Sequence, residues 1–408
     1  MTKKLLIILI TTFVLITGSF FIFRKKTPQK NVVVFWTLQM SDFAPYITSV
    51  IKEFELKNPN IKIKWVDVPF SEGEKRTLAS VLSDNPPDLV NLNPDFSATL
   101  AQKGALFEIP KNKTTQFNKS IMESLNYKGK FYSIPWYATS AITIYNKDLL
   151  KKGNITLPET YNQIALAAPT VKAKTGVFIM LPNITENDTF LKILNKYGCA
   201  DKNTINSKKS EQVFGLFKTL YDKNLIPKET ITTTLQEALE KYMSENIVLI
   251  GAGANFLNMI KENAPETYAK TDVAPQITGE LGQYDFSLMN FVIPLRSRHQ
   301  KEALDFALFL TNDKNQYELA KLTNVLAVNE KTLNSDFYTK YNPKDLSAKA
   351  RVISASQINK IEPVYKTKRN QKEINNIINA AIQEILLGKT NIKQSLDKVV
   401  KNWNNIEE

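Results

Sequence analysis

The stretch NVVVFWTL carries five apolar residues in a row, Val32 to Trp36, with no alternation. That pattern predicts a strand buried on both faces, and Thr37 and Gln39 predict exposure where it ends. Phe43, Ala44, Ile47, Val50, Ile51 and Phe54 then recur with a helical period, which Asn58-Pro59 stops. IKIKWVDV (61–68) alternates as a strand, a helix runs through KRTLASVLS, DNPP (84–87) turns, and DLVNLN (88–93) reads as a third strand. Strand and helix in strict alternation predict an α/β unit with a largely parallel sheet.

Further along, NYKGKFYSIPWYATSAITIYNKDLLKKG (126–153) turns at Gly129, breaks at Pro135 beside two aromatics, and resumes as a strand at AITIYN. There the chain is expected to cross into a second lobe. That lobe holds predicted helices over 160–168, 187–197, 210–223 and 236–243, then strand NIVLIGAG (246–253). LGQYDFSLMNFVIP (281–294) reads as a strand returning to the first lobe, followed by a helix over 300–310. The carboxyl end is helical: Ile374, Ile377, Ile378, Ala381, Ile382, Ile385 and Leu386 share a face that Gly388 caps. Ile392, Leu396, Val399, Val400 and Trp403 form the face of a last helix, with Trp403 expected in the core.

Ahead of all this, residues 5–23 (LLIILITTFVLITGSFFIF) carry no charge. As a helix they would reach about 28 Å, one hydrocarbon core. The expectation is one N-terminal apolar helix over 1–30, retained as a membrane anchor, with a cleaved signal segment as the alternative. LITGS (15–19) is similar to a lipobox, but Ser19 stands where a lipidated cysteine would be. Everything after residue 30 then lies on one side of the membrane.

A chain of 408 residues exceeds what one core usually takes, so the soluble part is expected to form two lobes. Its net charge of +13 comes from scattered lysines without an arginine–aromatic cluster, which argues against nucleic acid and suits a nearby anionic membrane surface. One cysteine, Cys199, and one histidine, His299, leave no internal disulfide and no material for a zinc site or histidine triad. No cofactor, metal or catalytic residue is expected. Forty acidic residues offer many carboxylate pairs, but no barrel periodicity accompanies them, so a glycoside hydrolase finds no support.

The order VVVFWT, NPNIKIKW, VLSDNPPDLVNLN, ALFEIP, GKFYSIPWYATSAITIYNKDLL and LLGKTNIKQSLDKVVKNW resembles the extracellular solute-binding proteins of ABC importers, family 1, the maltose-binding type. The resemblance spans residues 31–405. It implies a two-lobed periplasmic-binding-protein-like α/β fold of class II type, each lobe a sheet flanked by helices. Residues 31–139 with 286–324 would form lobe 1, and 140–285 with 325–408 lobe 2. It implies a monomer on the outer face of the bacterial cytoplasmic membrane, periplasmic or extracellular, that binds a mono- or oligosaccharide and hands it to ABC permease subunits. No chemistry is performed. A membrane-tethered sensor or scaffold, or a receptor for a non-sugar solute, is the alternative. Two stretches depart from the family: Glu245 and Asn246 replace a usual Gly-Lys, and Ala327 stands where a proline is common.

Sugar rings offer apolar CH faces and rims of hydroxyls, so their pockets need aromatic platforms with convergent amides or carboxylates. Strand ends and crossings supply the candidates: Trp36, Gln39, Asn93 and Asp95 from lobe 1; Trp136 and Tyr137 at one crossing; Asn255 and Phe256 after GAG; and Tyr284 and Phe286 at the other crossing. Trp36 is expected as a ring platform at the cleft mouth.

Overall fold

The computed structural model describes residues 31–38, 40–323, 325–360 and 370–407. The expected apolar helix, Gln39 and Asn324 lie outside the described residues. No helix among the described residues is long and apolar enough to cross a membrane.

Strand β1 (Asn31–Leu38) leads to helix α1 (Ala44–Lys57), β2 (Ile61–Val68), α2 (Phe70–Val81), β3 (Leu89–Leu92) and α3 (Pro94–Gln102). After a hairpin whose turn holds Lys128 and Gly129 at positive φ, the long strand β4 (Ile134–Asn146) begins. Next come α4 (Tyr161–Thr175), α5 (Lys208–Asp222), β5 (Leu249–Gly253), α6 (Phe256–Asn263) and β6 (Thr271–Pro275). The chain returns through β7 (Phe286–Val292), α7 (Gln300–Leu310), α8 (Asp313–Thr323), β8 (Leu326–Ala327) and α9 (Leu346–Ser356). It finishes with α10 (Gln371–Leu386) and α11 (Ile392–Glu407).

β2, β1 and β3 are parallel, as expected, but the remaining strands are not. β7 runs antiparallel to β3 and to the first half of β4, and β8 pairs antiparallel with β4. The sheet is therefore mixed rather than largely parallel. β4 leaves and β7 re-enters the same region, and two neighbouring strands crossing in opposite senses must pair antiparallel. The second half of β4 lies between β5 and β6, antiparallel to both.

Alternation along the strands sorts the side chains into cores. Val33 and Phe35 of β1 join Leu288 and Phe291 on one face of the first sheet, while Leu38 joins Val90 and Leu92 on the other. In the second sheet Ile142, Ile144 and Ile250 share one core, and Leu249 joins the other with α5, α10, α11 and Trp403. Cys199 is buried there, its thiol on the Leu194 carbonyl. Leu326, Ala327, Val328, Leu333 and Tyr338 pack into the core built on β1, so the first core reaches past residue 324, the expected lobe boundary. The reason is β8: its pairing with Ala138 and Tyr137 holds the following chain on the first sheet.

Candidate functional site

Between the two sheets lies a cavity of about 300 Å³. Met40 and Phe43 reach it from just beyond β1, and Tyr137, Thr139 and Ser140 from the middle of β4. Gly253, Ala254 and Asn255 come from the end of β5; Leu319, Thr323, Val325 and Leu326 from α8 and β8; and Ser354 from α9.

The wall after β1 is set by one carboxylate. Trp65 Nε1 donates to Thr37 Oγ1 at 2.8 Å, and Thr37 Oγ1 donates to Asp67 Oδ1 at 2.6 Å. The same carboxylate accepts the Met40 N–H at 2.9 Å, which turns the chain at the strand end. Capping by a half-buried carboxylate thus fixes Met40, rather than Trp36, at the cavity.

Trp36 stands inside β1, in register with Val66 and Val90. Its ring, like Val66, Leu78 and Phe96, packs against the core that holds Leu38, Val90 and Leu92, and the Arg76 guanidinium lies 5.3 Å from the ring centre. It does not line the cavity, because the strand continues through it to Leu38 and alternation points it away from the Phe35 face. The expectation of a ring platform finds no support in the lining of this cavity.

Trp136 and Tyr137 part company at a β-bulge. Pro135 pairs with Asn290 and Tyr137 with Met289, so Trp136 is the extra residue. Its fully buried indole stacks on Phe291 at 4.6 Å, and its carbonyl accepts from Gln316 Nε2 at 2.6 Å. Gln316 in turn accepts the Val328 N–H at 2.8 Å. Trp136 is therefore core. Tyr137 lines the cavity, its ring edge-on to Trp136 at 5.1 Å, and burial pushes its phenol up to about 12, so it stays protonated.

The other expected residues divide. Asn255 lines the cavity; its Oδ1 would lie 2.4 Å from a Cβ at residue 253, so the amide folds back over Gly253. Phe256 packs into the second core instead. Asn93 caps α3, accepting the Phe96 N–H at 2.8 Å, and Asp95 is exposed in the first turn of that helix. Phe286 is buried in the first core, and Tyr284 is held through its N–H on the Lys360 carbonyl at 3.0 Å. None of these last five lines the cavity. The other eleven lining residues, among them Met40, Phe43, Thr139, Val325 and Ser354, were missed. Met40, Phe43 and Ala254 carried a signal, as residues beyond a strand end.

Behind the cavity a set of buried amides ties the three passages between cores. Gln357 Nε2 donates to Ser140 Oγ at 2.7 Å and to the Ala141 carbonyl at 2.9 Å, and its Oε1 accepts the Gln276 N–H at 2.7 Å. Gln276 exchanges two bonds with Asp285, and buried Lys196 reaches both: Gln276 Oε1 and Asp285 Oδ2, each at 3.0 Å. Ser354 borders the cavity, but its hydroxyl oxygen is itself buried and has no protein partner among the described residues.

The model of the family "Bacterial extracellular solute-binding protein" matches residues 49–344. The chain belongs to that family. A candidate binding protein of Brucella abortus (strain 2308) is 24% identical over 364 residues, 85% of each chain. The multiple sugar-binding protein of Streptococcus mutans is 24% identical over 313 residues, 70% of this chain and 72% of its own. Among solved structures, a candidate oligosaccharide periplasmic-binding protein from Synechococcus sp. MITs9220 superposes with a TM-score of 0.82 at 28% identity, covering 91% of this chain and 98% of that one. As a member of this family the chain has the periplasmic-binding-protein-like α/β fold, which accounts for a cavity opening between two sheets that share strands.

Proposed function

We propose that this solute-binding protein takes a neutral carbohydrate into the cavity and delivers it to an ABC-type importer, without chemical catalysis. It would act as a single copy outside the cytoplasmic membrane, closing two lobes over the ligand. The lining carries the reading. Its thirteen described residues include no charged side chain, but they include Tyr137 and Phe43 as rings, and hydroxyls and an amide from Thr139, Ser140, Ser354 and Asn255. Hydroxyls donate and accept, which is what a sugar rim demands. The relatives named for sugars support the same class.

Trp136 provides the readout, since it packs directly behind Tyr137. The full-length chain, with Trp36→Phe to remove one background indole, is titrated with mono- and oligosaccharides while tryptophan emission is followed. A saturable change that Tyr137→Leu weakens about ten-fold supports the reading. A flat response to every sugar, on protein that melts cooperatively, rejects it in favour of a non-sugar solute or a receptor that no longer imports.

A further inference from the structure

We propose that Gln357 is a positioning residue for ligand capture: its side-chain amide clamps the three passages between the two sheets and sets the arrangement that the ligand-free protein takes. This rests on the reading above that two lobes close over a solute, and it names the group that governs the closing. Strand β4 changes partners at a single peptide. Ser140 is its last residue paired with β7, opposite Phe286, and Ala141 its first paired with β5, opposite Gly253. Gln357 Nε2 donates to both sides of that change, to the Ser140 hydroxyl at 2.7 Å and to the Ala141 carbonyl at 2.9 Å. The second passage runs from Gln276, next after β6, to Asp285, next before β7. Its two ends are tied to each other: Gln276 Nε2 donates to Asp285 Oδ2 at 2.7 Å, and the Asp285 N–H to Gln276 Oε1 at 2.8 Å. Gln357 Oε1 accepts the Gln276 N–H at 2.7 Å. Gln357 itself lies on the third passage, between Ala350 in a core of the second sheet and Ile358 in the core built on β1.

One amide therefore joins all three passages, with both N–H groups and the carbonyl engaged. The side chain is 1% exposed, so a bond lost there is not replaced by one to bulk water. Turning one sheet against the other moves the Ser140–Ala141 peptide or the Gln276 N–H away from Gln357 and leaves a buried donor or acceptor unpaired. Apolar packing tolerates such sliding, whereas a hydrogen bond is lost with distance and angle. Each bond broken in this way disfavours the turned arrangement by about ten-fold. Ser140 also lines the cavity, so a solute seated there touches the residue at which β4 changes partners. A solute that prefers another arrangement has to break the clamp first, and its apparent affinity falls by the same factor.

The experiment measures the distance between the sheets with no ligand added. Spin labels are placed on the full-length chain at Lys103→Cys and Lys223→Cys, exposed positions just after α3 and α5, with the native thiol removed by Cys199→Ala. With Gln357 in place, one narrow distance distribution is expected. Gln357→Met, close in volume and without donors, is expected to shift the ratio of arrangements by about ten-fold or more and so to add a second distance. Ser140→Ala removes one bond of the set and should shift it in the same sense by less. Gln316→Met is the control. That buried amide bonds the Trp136 carbonyl and the Val328 N–H, both within the first core, so its loss should lower the melting temperature and add no second distance. A single unchanged distance in whichever of Gln357→Met and Ser140→Ala melts cooperatively overturns the inference. A second distance in Gln316→Met overturns it too, since any lost buried bond would then loosen the molecule. No sugar enters this measurement, so its failure leaves the carbohydrate reading standing, and a flat sugar titration leaves the clamp standing.

Discussion

Single residues decide what the cavity presents. Gly253 is the clearest case: a Cβ there would meet only the far end of the Asn255 side chain, at 2.4 Å from Oδ1. Gly253→Ala should therefore leave the melting temperature almost unchanged and weaken ligand binding, because the Asn255 amide has to swing away. Titration beside a thermal melt checks this, and parallel losses in both would contradict it. Trp136→Ala should do the reverse. It empties a fully buried site stacked on Phe291 and is expected to lower stability by about 3–5 kcal/mol in urea unfolding. Glu245 holds a left-handed conformation, φ 57°, at a position where the resemblance leads one to expect glycine. Its carboxylate accepts from Lys270 Nζ at 2.6 Å, a half-exposed pair of small net value. Glu245→Gly should hold or raise stability by up to about 1 kcal/mol, since relief of the left-handed strain outweighs a surface pair.

At the scale of elements, β4 and β7 carry the chain between cores, and the buried amide set fixes where they bend. Lys196 is 1% exposed and paired with Asp285. Replacing it by methionine leaves the carboxylate partly buried with one fewer partner and is expected to cost about 3 kcal/mol. Lys196→Met with Asp285→Asn should recover much of that loss in chemical unfolding. A double variant no better than the single one would show that the lysine acts through packing alone. The bulge at Trp136 works at the same scale. Without it, strict alternation would exchange the faces of the residues that follow, and Thr139 would leave the cavity.

For the whole molecule, the tyrosines set the alkaline limit. Tyr137, Tyr145 and Tyr197 are each pushed up to about 12, first by burial, from an ordinary value of 10.0. Their folded-state values are raised, so their contribution is complete below pH 10.0 and is lost as pH climbs toward about 12. Thermal melts in steps over that window should show a steep fall in Tm, and a level Tm would mean that the rings ionise in place. Ligand affinity, by contrast, should stay level between about pH 6 and 9, as no described lining residue titrates there.

Much of this protein was legible from its sequence. The period of apolar residues announced β1, α1, β2 and β3, the glycine after α10 marked its end, and Trp403 was read as core, because local pattern and local capping depend on near neighbours in the chain. The order of those pieces carried the family. Of the candidate site, Tyr137 and Asn255 were legible, since both sit at the crossing or strand end that the rule for α/β sheets selects. Gln39 lies outside the described residues. Only the tertiary structure decided that Trp36 belongs to the packing over β1 and Trp136 to the core. The first depends on how far the strand runs before Asp67 captures the Met40 N–H, the second on a bulge that Gln316 completes from 180 residues away in sequence. Leu319, Val325 and Ser354 reach the cavity through contacts made far along the chain, and no short-range pattern marks such residues.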